Sequence, residues 1–421
     1  MNKRTVLLAI LLGALLLAPC CRRQTGGARR GGLNRVLTNE LSDTATLHKM
    51  DRDIERFMQR WYIKGLSLSV MRNDSLVYAK GYGWADEEQG ERMGPGSIMR
   101  VASVSKLITA AGIMKLCEEG RLSLGDKVFG PHGILRDSCY TAAIRDKNYY
   151  EITVEQLLRH EAGFTVRGAD PLFNTPAIME YYGLRKAPDA RTLVTLMLPR
   201  RLRYKPGASH EYSNFGYLLL SLIIEKVTGQ DYEHWMQQNV LEPAGCTDAH
   251  LARNYYHERY KGEVRYYMQD NDPPVPEYNN SRDSVVRCYG GNDIRGLSGA
   301  GAWVISTPEL ALLVASIDGR SEIPDILSRR SVREMTASSH EHKFSLGWNT
   351  TDPKEGWVRT GSLSGTNALI YYFPDGECWI LANNTHSWRG PRFAKYLRGL
   401  VKQCRDRYSE SLPARNLFLI Q

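Results

Sequence analysis

A serine and a lysine three residues apart, Ser103 and Lys106, open an apolar run that continues through Leu107, Ile108 and Ile113. On a helix such a pair shares one face, with Cβ atoms about 5–6 Å apart. The pattern predicts a helix from Ser103 to Cys117 that ends at Gly120. A serine hydroxyl attacks poorly until a neighbour takes its proton, and a desolvated lysine can do so. The free N–H groups and positive dipole end of that helix start also suit a developing oxyanion. Taken singly the spacing says little. A chain of this length carries it about once or twice by chance, and a surface serine beside a solvated lysine is then the commoner reading.

Tyr212-Ser213-Asn214 is the second candidate. A tyrosine relays protons, and an asparagine amide both donates to and accepts from a peptide-like group. Tyr278-Asn279-Asn280 has the same pattern but lies in a polar stretch. Tyr212 is preferred because the turn Lys205-Pro206-Gly207 precedes it and a strongly apolar helix, Tyr217 to Val227, follows. The third candidate is Arg359-Thr360-Gly361-Ser362, just before a hairpin pattern. A cation and a hydroxyl at a strand edge can grip an anion, and glycine admits close backbone approach. An arginine merely exposed on an edge strand fits that segment equally well.

The elements that must position these groups fall into two kinds. Leu66 to Val70 and Ser75 to Gly83 alternate with period two around Arg72-Asn73-Asp74, which predicts a β-hairpin. Asn367 to Phe373 and Glu377 to Asn383 repeat the pattern around Pro374-Asp375-Gly376. Helical periodicity marks Leu47 to Tyr62, Thr153 to His160, Tyr232 to Leu241 and about Pro391 to Cys404. Asn254 to Asp293 gives no confident element. Strands at both ends around a helical middle imply an antiparallel sheet assembled from the chain termini, with a mainly helical region inserted, an α/β (α+β) fold.

Taken in order, Ser103/Lys106, Tyr212/Asn214 and Arg359-Thr360-Gly361 resemble the penicillin-recognising serine hydrolases. The similarity is to the branch that holds class C β-lactamases, D-alanyl-D-alanine carboxypeptidases and related esterases. Leu157-Leu158-Arg159-His160-Glu161-Ala162-Gly163 is similar to that family's LL-x-H-x-x-G segment, and the resemblance covers roughly residues 50 to 405. It implies a β-lactamase/transpeptidase-like fold and an acyl-enzyme on Ser103. It further implies Lys106 and Tyr212 as the proton-handling groups, with either one as general base, and Asn214 on a substrate amide. Backbone N–H groups of Ser103 and Ser362 would form the oxyanion hole, and Arg359 and Thr360 would meet a substrate carboxylate. The family usually has Lys or His where this chain has Arg359. Arginine keeps the charge but does not titrate, which favours a cell-wall peptidase or broad esterase over a dedicated β-lactamase. The alternative is a catalytically silent sensor of muropeptides or β-lactams with the same pocket.

The rest of the chain sets the context. Its 421 residues are 42% hydrophobic and 24% charged, with a formal net charge of +9. That is a globular composition. No nucleic-acid module accompanies the charge, so no nucleic-acid partner is expected. Asn2-Lys3-Arg4 followed by the apolar Val6 to Leu17 reads as an export signal ending in Leu17-Ala18-Pro19-Cys20-Cys21. It resembles a bacterial lipobox, with Cys20 or Cys21 lipidated and the protein held in the periplasm or cell envelope. The expected organisation is a signal at 1–21, a flexible tether at 22–45, a hydrolase domain at 46–405 and a tail at 406–421. Within the domain, the sheet region takes 46–120 and 290–405, and the helical region 121–289. The other cysteines, Cys117, Cys139, Cys246, Cys288, Cys378 and Cys404, match no disulfide framework. There is no CxxC and no HExxH, and His340-Glu341-His342 reads as a loop, so neither metal nor cofactor is expected.

Overall fold

A computed structural model describes residues 32–420 apart from 165–169, 280–282 and 338–341. The export signal and the cysteine pair at 20–21 lie outside the described residues. Seven strands form an antiparallel sheet: β1 (Gly65–Arg72), β2 (Ser75–Asp86), β3 (Glu91–Arg92), β4 (Thr350–Asp352), β5 (Gly356–Leu363), β6 (Thr366–Tyr372) and β7 (Glu377–Asn383). Their order is β3-β2-β1-β7-β6-β5-β4. The two chain ends therefore meet where β1 pairs with β7, with Leu68 opposite Leu381. The first hairpin closes on Asn73 and Asp74, both with positive φ, as a two-residue turn that matches strand twist requires.

Alternation along β1 explains the layering. Leu66, Leu68 and Val70 face an apolar layer formed with α1 (His48–Trp61) and the C-terminal helix, Ala394–Tyr408. Ser67 and Ser69 face the other way and both hydrogen-bond the Thr307 hydroxyl, at 2.8 and 2.9 Å. On that second face lies the larger core, which contains α2 (Ser105–Glu118), α3 (Asn214–Thr228) and α4 (Thr307–Ala315). A small sheet of Met99–Arg100, Trp303–Ile305 and His250–Leu251 ties the inserted region to the sheet region.

Three boundaries differ from expectation. Residues 33–45, placed in a flexible tether, are folded: Leu33–Val36 is helical, Leu37 is buried, and Asn39 bonds the Met93 carbonyl and the Gly81 N–H. The C-terminal helix, α5 (Ala394–Tyr408), runs past Cys404, and the tail beyond it packs down through buried Leu412 and Leu417. Asn416 there accepts the Leu76 N–H. The helix expected from Ser103 begins at Ser105, and Ser103 sits on a 3₁₀ turn, Ala102–Val104, ahead of it.

Candidate active site

That turn presents the nucleophile. Ala102 adopts φ 50°, a left-handed conformation that disfavours a residue with a side chain, and Ser103 stands half-buried at the head of α2. The strain is held from both sides. Val101 N–H bonds the Trp303 carbonyl, and Gly361 on β5 lies so close that a Cβ there would come 2.2 Å from the Val101 carbonyl oxygen. Ser105, the neighbouring alternative, is fully buried, and its hydroxyl accepts the Trp303 N–H at 3.0 Å. Ser213 is spent as well, capping α3 through the Gly216 N–H.

Lys106, one turn after Ser103, is fully buried. Its ammonium donates to Asn214 Oδ1 at 2.6 Å, the Ala300 carbonyl at 2.5 Å and Ser103 Oγ at 3.3 Å. Three acceptors for three protons satisfy a charged lysine. Tyr212 donates its hydroxyl to Ser103 Oγ at 2.7 Å. Burial together with the Arg359 charge brings the Lys106 pKa down to about 8, against the pull of Tyr212. For Tyr212, burial pushes upward, but the charges of Lys106 and Arg359 outweigh it and the phenol falls to about 8. The structure therefore brings Ser103, Lys106 and Tyr212 together.

Arg359 does not have the place expected for a carboxylate anchor. It is 0% exposed, and its Nε and Nη2 both donate to the Ser103 carbonyl, at 2.7 and 2.5 Å. Nη2 also lies 3.4 Å from the Tyr212 oxygen. Strand parity is the reason. Arg359 and Gly361 share the face of β5 beneath the nucleophile turn, while Thr360 and Ser362 take the other. Thr360 is half-buried and donates its N–H and hydroxyl to Asn349 Oδ1. Ser362 N–H, two residues on, faces the same edge of the sheet as Thr360 N–H. Ser362 Oγ bonds Asn367. Asn214 accepts from Lys106 on Oδ1 and donates from Nδ2 to Asp170 Oδ2 at 2.8 Å, two bonds that leave its second amide proton unused among the described residues.

Two residues of the site had no role assigned from the sequence. His160, buried with φ 60°, packs its ring 4.5 Å from that of Tyr212 and accepts the Ser213 N–H on Nδ1 at 3.1 Å. Burial and the charges of Lys106 and Arg359 hold it well below the usual histidine pKa, so it is neutral at pH 7. The segment around it also receives backbone N–H groups from Gly207 and Glu211, which fixes the extended chain that carries Tyr212. The LL-x-H-x-x-G pattern was its only signal. Asp170 had none beyond a preceding-proline turn position. Among the described residues no cluster could hold a metal ion.

Comparison with known proteins agrees with this geometry. The Beta-lactamase family model matches residues 50–399. The chain is 29% identical over 237 residues to "Protein flp" of Staphylococcus aureus (strain MRSA252), covering 55% of this chain but only 44% of that one, so it spans less than half of that relative. It is 26% identical over 328 residues to a chain named "Putative D-alanyl-D-alanine carboxypeptidase" in Escherichia coli O157:H7, covering 72% and 71%. D-amino acid amidase from Ochrobactrum anthropi SV3 has a similar fold, with TM-score 0.64 and 19% identity over 87% of this chain and 99% of that one. With its family model matched across most of its length, the chain belongs to the Beta-lactamase family of serine hydrolases.

Proposed function

We propose that the protein forms an acyl-enzyme on Ser103 and hydrolyses a peptide, amide or ester, with D-alanyl peptides of the cell wall as the leading class. The observation that carries this reading is the 2.7 Å contact between the Tyr212 hydroxyl and Ser103 Oγ, with Lys106 at 3.3 Å. Tyr212 as phenolate takes the Ser103 proton while Oγ bonds to the substrate carbonyl carbon. Lys106, its three protons already committed, stays charged and with Arg359 stabilises the phenolate. The N–H groups of Ser103 and Ser362 take the oxyanion. As the tetrahedral adduct collapses, Tyr212 returns the proton to the departing amine or alkoxide. Water then loses a proton to Tyr212, attacks the ester carbonyl, and Ser103 leaves with that proton.

The names borne by the relatives, a carboxypeptidase and a D-amino acid amidase, support the same acyl chemistry. A dedicated β-lactamase fits less well, since Arg359 cannot exchange a proton during turnover. Turnover of a D-alanyl-D-alanine peptide, a neutral acyl ester and a penicillin, each with wild type and Ser103→Ala, tests the reading. Peptide or ester turnover that disappears in the variant is expected. Turnover that survives the substitution would overturn it.

A further inference from the structure

The face of the molecule opposite the catalytic helices carries a surface the chemistry does not use. Trp388 is 61% exposed and Tyr62, just past the end of α1, is 75% exposed. Trp61, the residue before Tyr62, has its ring 5.9 Å from that of Trp388 and 4.6 Å from that of Tyr396. Cations stand over these rings: the Arg389 guanidinium is 3.8 Å from the Trp388 ring centre, and Lys395 is 4.9 Å from that of Tyr396. From Thr385 to Arg405 the chain has six basic residues and no acidic one. Of these, Lys402 and Arg405 pair with carboxylates, whereas Arg389, Arg392 and Lys395 are exposed with no carboxylate at salt-bridge distance among the described residues. On α1, Asp51 is turned to Lys80 and Asp53 to Arg56 and Arg407, which leaves Glu55 as that helix's one exposed carboxylate.

We infer that this aromatic and basic surface rests on an anionic phospholipid bilayer, with the folded domain itself as the contact. Amphipathic aromatic rings favour the headgroup level, and Lys and Arg beside them are drawn to anionic lipid. Among the described residues no helix is long and apolar enough to cross a membrane, so the contact is interfacial. Because α1 and α5 lie across the sheet from α2 and α3, the contact leaves the Ser103 cleft facing away from the lipid. The inference is independent of the proposed reaction and of lipid attached at Cys20 or Cys21.

Tryptophan quenching tests it on the full chain. All eight tryptophans lie between residues 61 and 388, so none belongs to the export segment. The full chain is mixed with phosphatidylglycerol-rich vesicles whose acyl chains are brominated. Quenching of part of the emission is expected, weakened in 1 M salt, where screening shortens to about 3 Å. Trp388→Phe should lose most of the quenched component. Replacing Arg389, Arg392 and Lys395 together by Glu should abolish quenching while ester turnover stays at the wild-type level, which also certifies the fold. Emission that is unquenched in wild type, as for a surface built to bind a protein, overturns the inference. So does quenching that both variants retain.

Discussion

Two cations sit against one phenol in this site, and that sets its pH behaviour. With the Tyr212 pKa brought to about 8, the base form accumulates as pH rises, so kcat/KM should climb through a limb near pH 8. Arg359→Ala removes one of the two charges and should shift the limb upward toward the tyrosine value of about 10. The same variant frees the Ser103 carbonyl from its brace. Charge-assisted hydrogen bonds contribute about 1.5–3 kcal/mol, so kcat/KM at pH 7 should fall roughly ten- to a hundred-fold. The loss should be equal on a carboxylated peptide and a neutral ester, because Arg359 is out of reach of either. Arg359→Lys should keep the limb near its original position but recover only part of the rate, lacking the fork that grips one carbonyl twice. Losses confined to the carboxylated substrate would restore the anchor role that the motif suggested. Residue types and their grouping were legible in the sequence here, but orientation was not. Period-two alternation says that Arg359 and Gly361 share a face; only the placement of the Ala102–Val104 turn decides that this face lies under the nucleophile.

At the scale of elements, the strand-to-turn contact at Gly361 is the tightest joint in the site. A Cβ added there meets the Val101 carbonyl at 2.2 Å and Ser103 N at 3.0 Å, so Gly361→Ala must push β5 from the nucleophile turn. Acylation should drop by at least about a hundred-fold, in line with the sensitivity of catalysis to displacements near 1 Å, while the melting temperature falls only modestly. A stopped-flow acylation rate beside a thermal melt reads both. The first hairpin carries a different strain. Asp74, in its turn, is buried, and burial and the Asp318 charge raise it to about 8. The folded state thus keeps a proton that the unfolded chain releases near pH 4. The stability linked to this group is complete below that pH and is lost as pH rises to about 8. Asp74→Asn should therefore melt higher than wild type by a margin that grows across that window, on the order of a few degrees at its upper end. A margin independent of pH would contradict the assignment.

Both hairpins and the order of the elements were readable because alternation and turn residues coincide there. The helix at Asn214 begins earlier than its apolar pattern because Ser213 caps it. The 33–45 stretch, polar and rich in turn formers, gave no periodic signal, and its contacts with β2 and Met93 come from segments 37 to 54 residues away.

For the whole molecule, the remaining proposal is that the chain is exported and lipidated at Cys20 or Cys21. Metabolic labelling with a fatty-acid analogue in a bacterial host should mark wild type and fail when both cysteines are replaced by Ser; label that persists without them contradicts it. The fold joins the two chain ends at β1 and β7, so the nucleophile turn, the Tyr212 segment and β5, far apart in sequence, converge only when the entire domain is assembled. In the proposed reaction this convergence makes Ser103 the acylated residue. Intact-protein mass spectrometry after reaction with an activated acyl ester, followed by peptide mapping, tests that most directly. One acyl group on the peptide containing Ser103, absent from Ser103→Ala, is the predicted result. An adduct carried by Ser105 or Ser213, or one that survives in the Ser103→Ala protein, would contradict it.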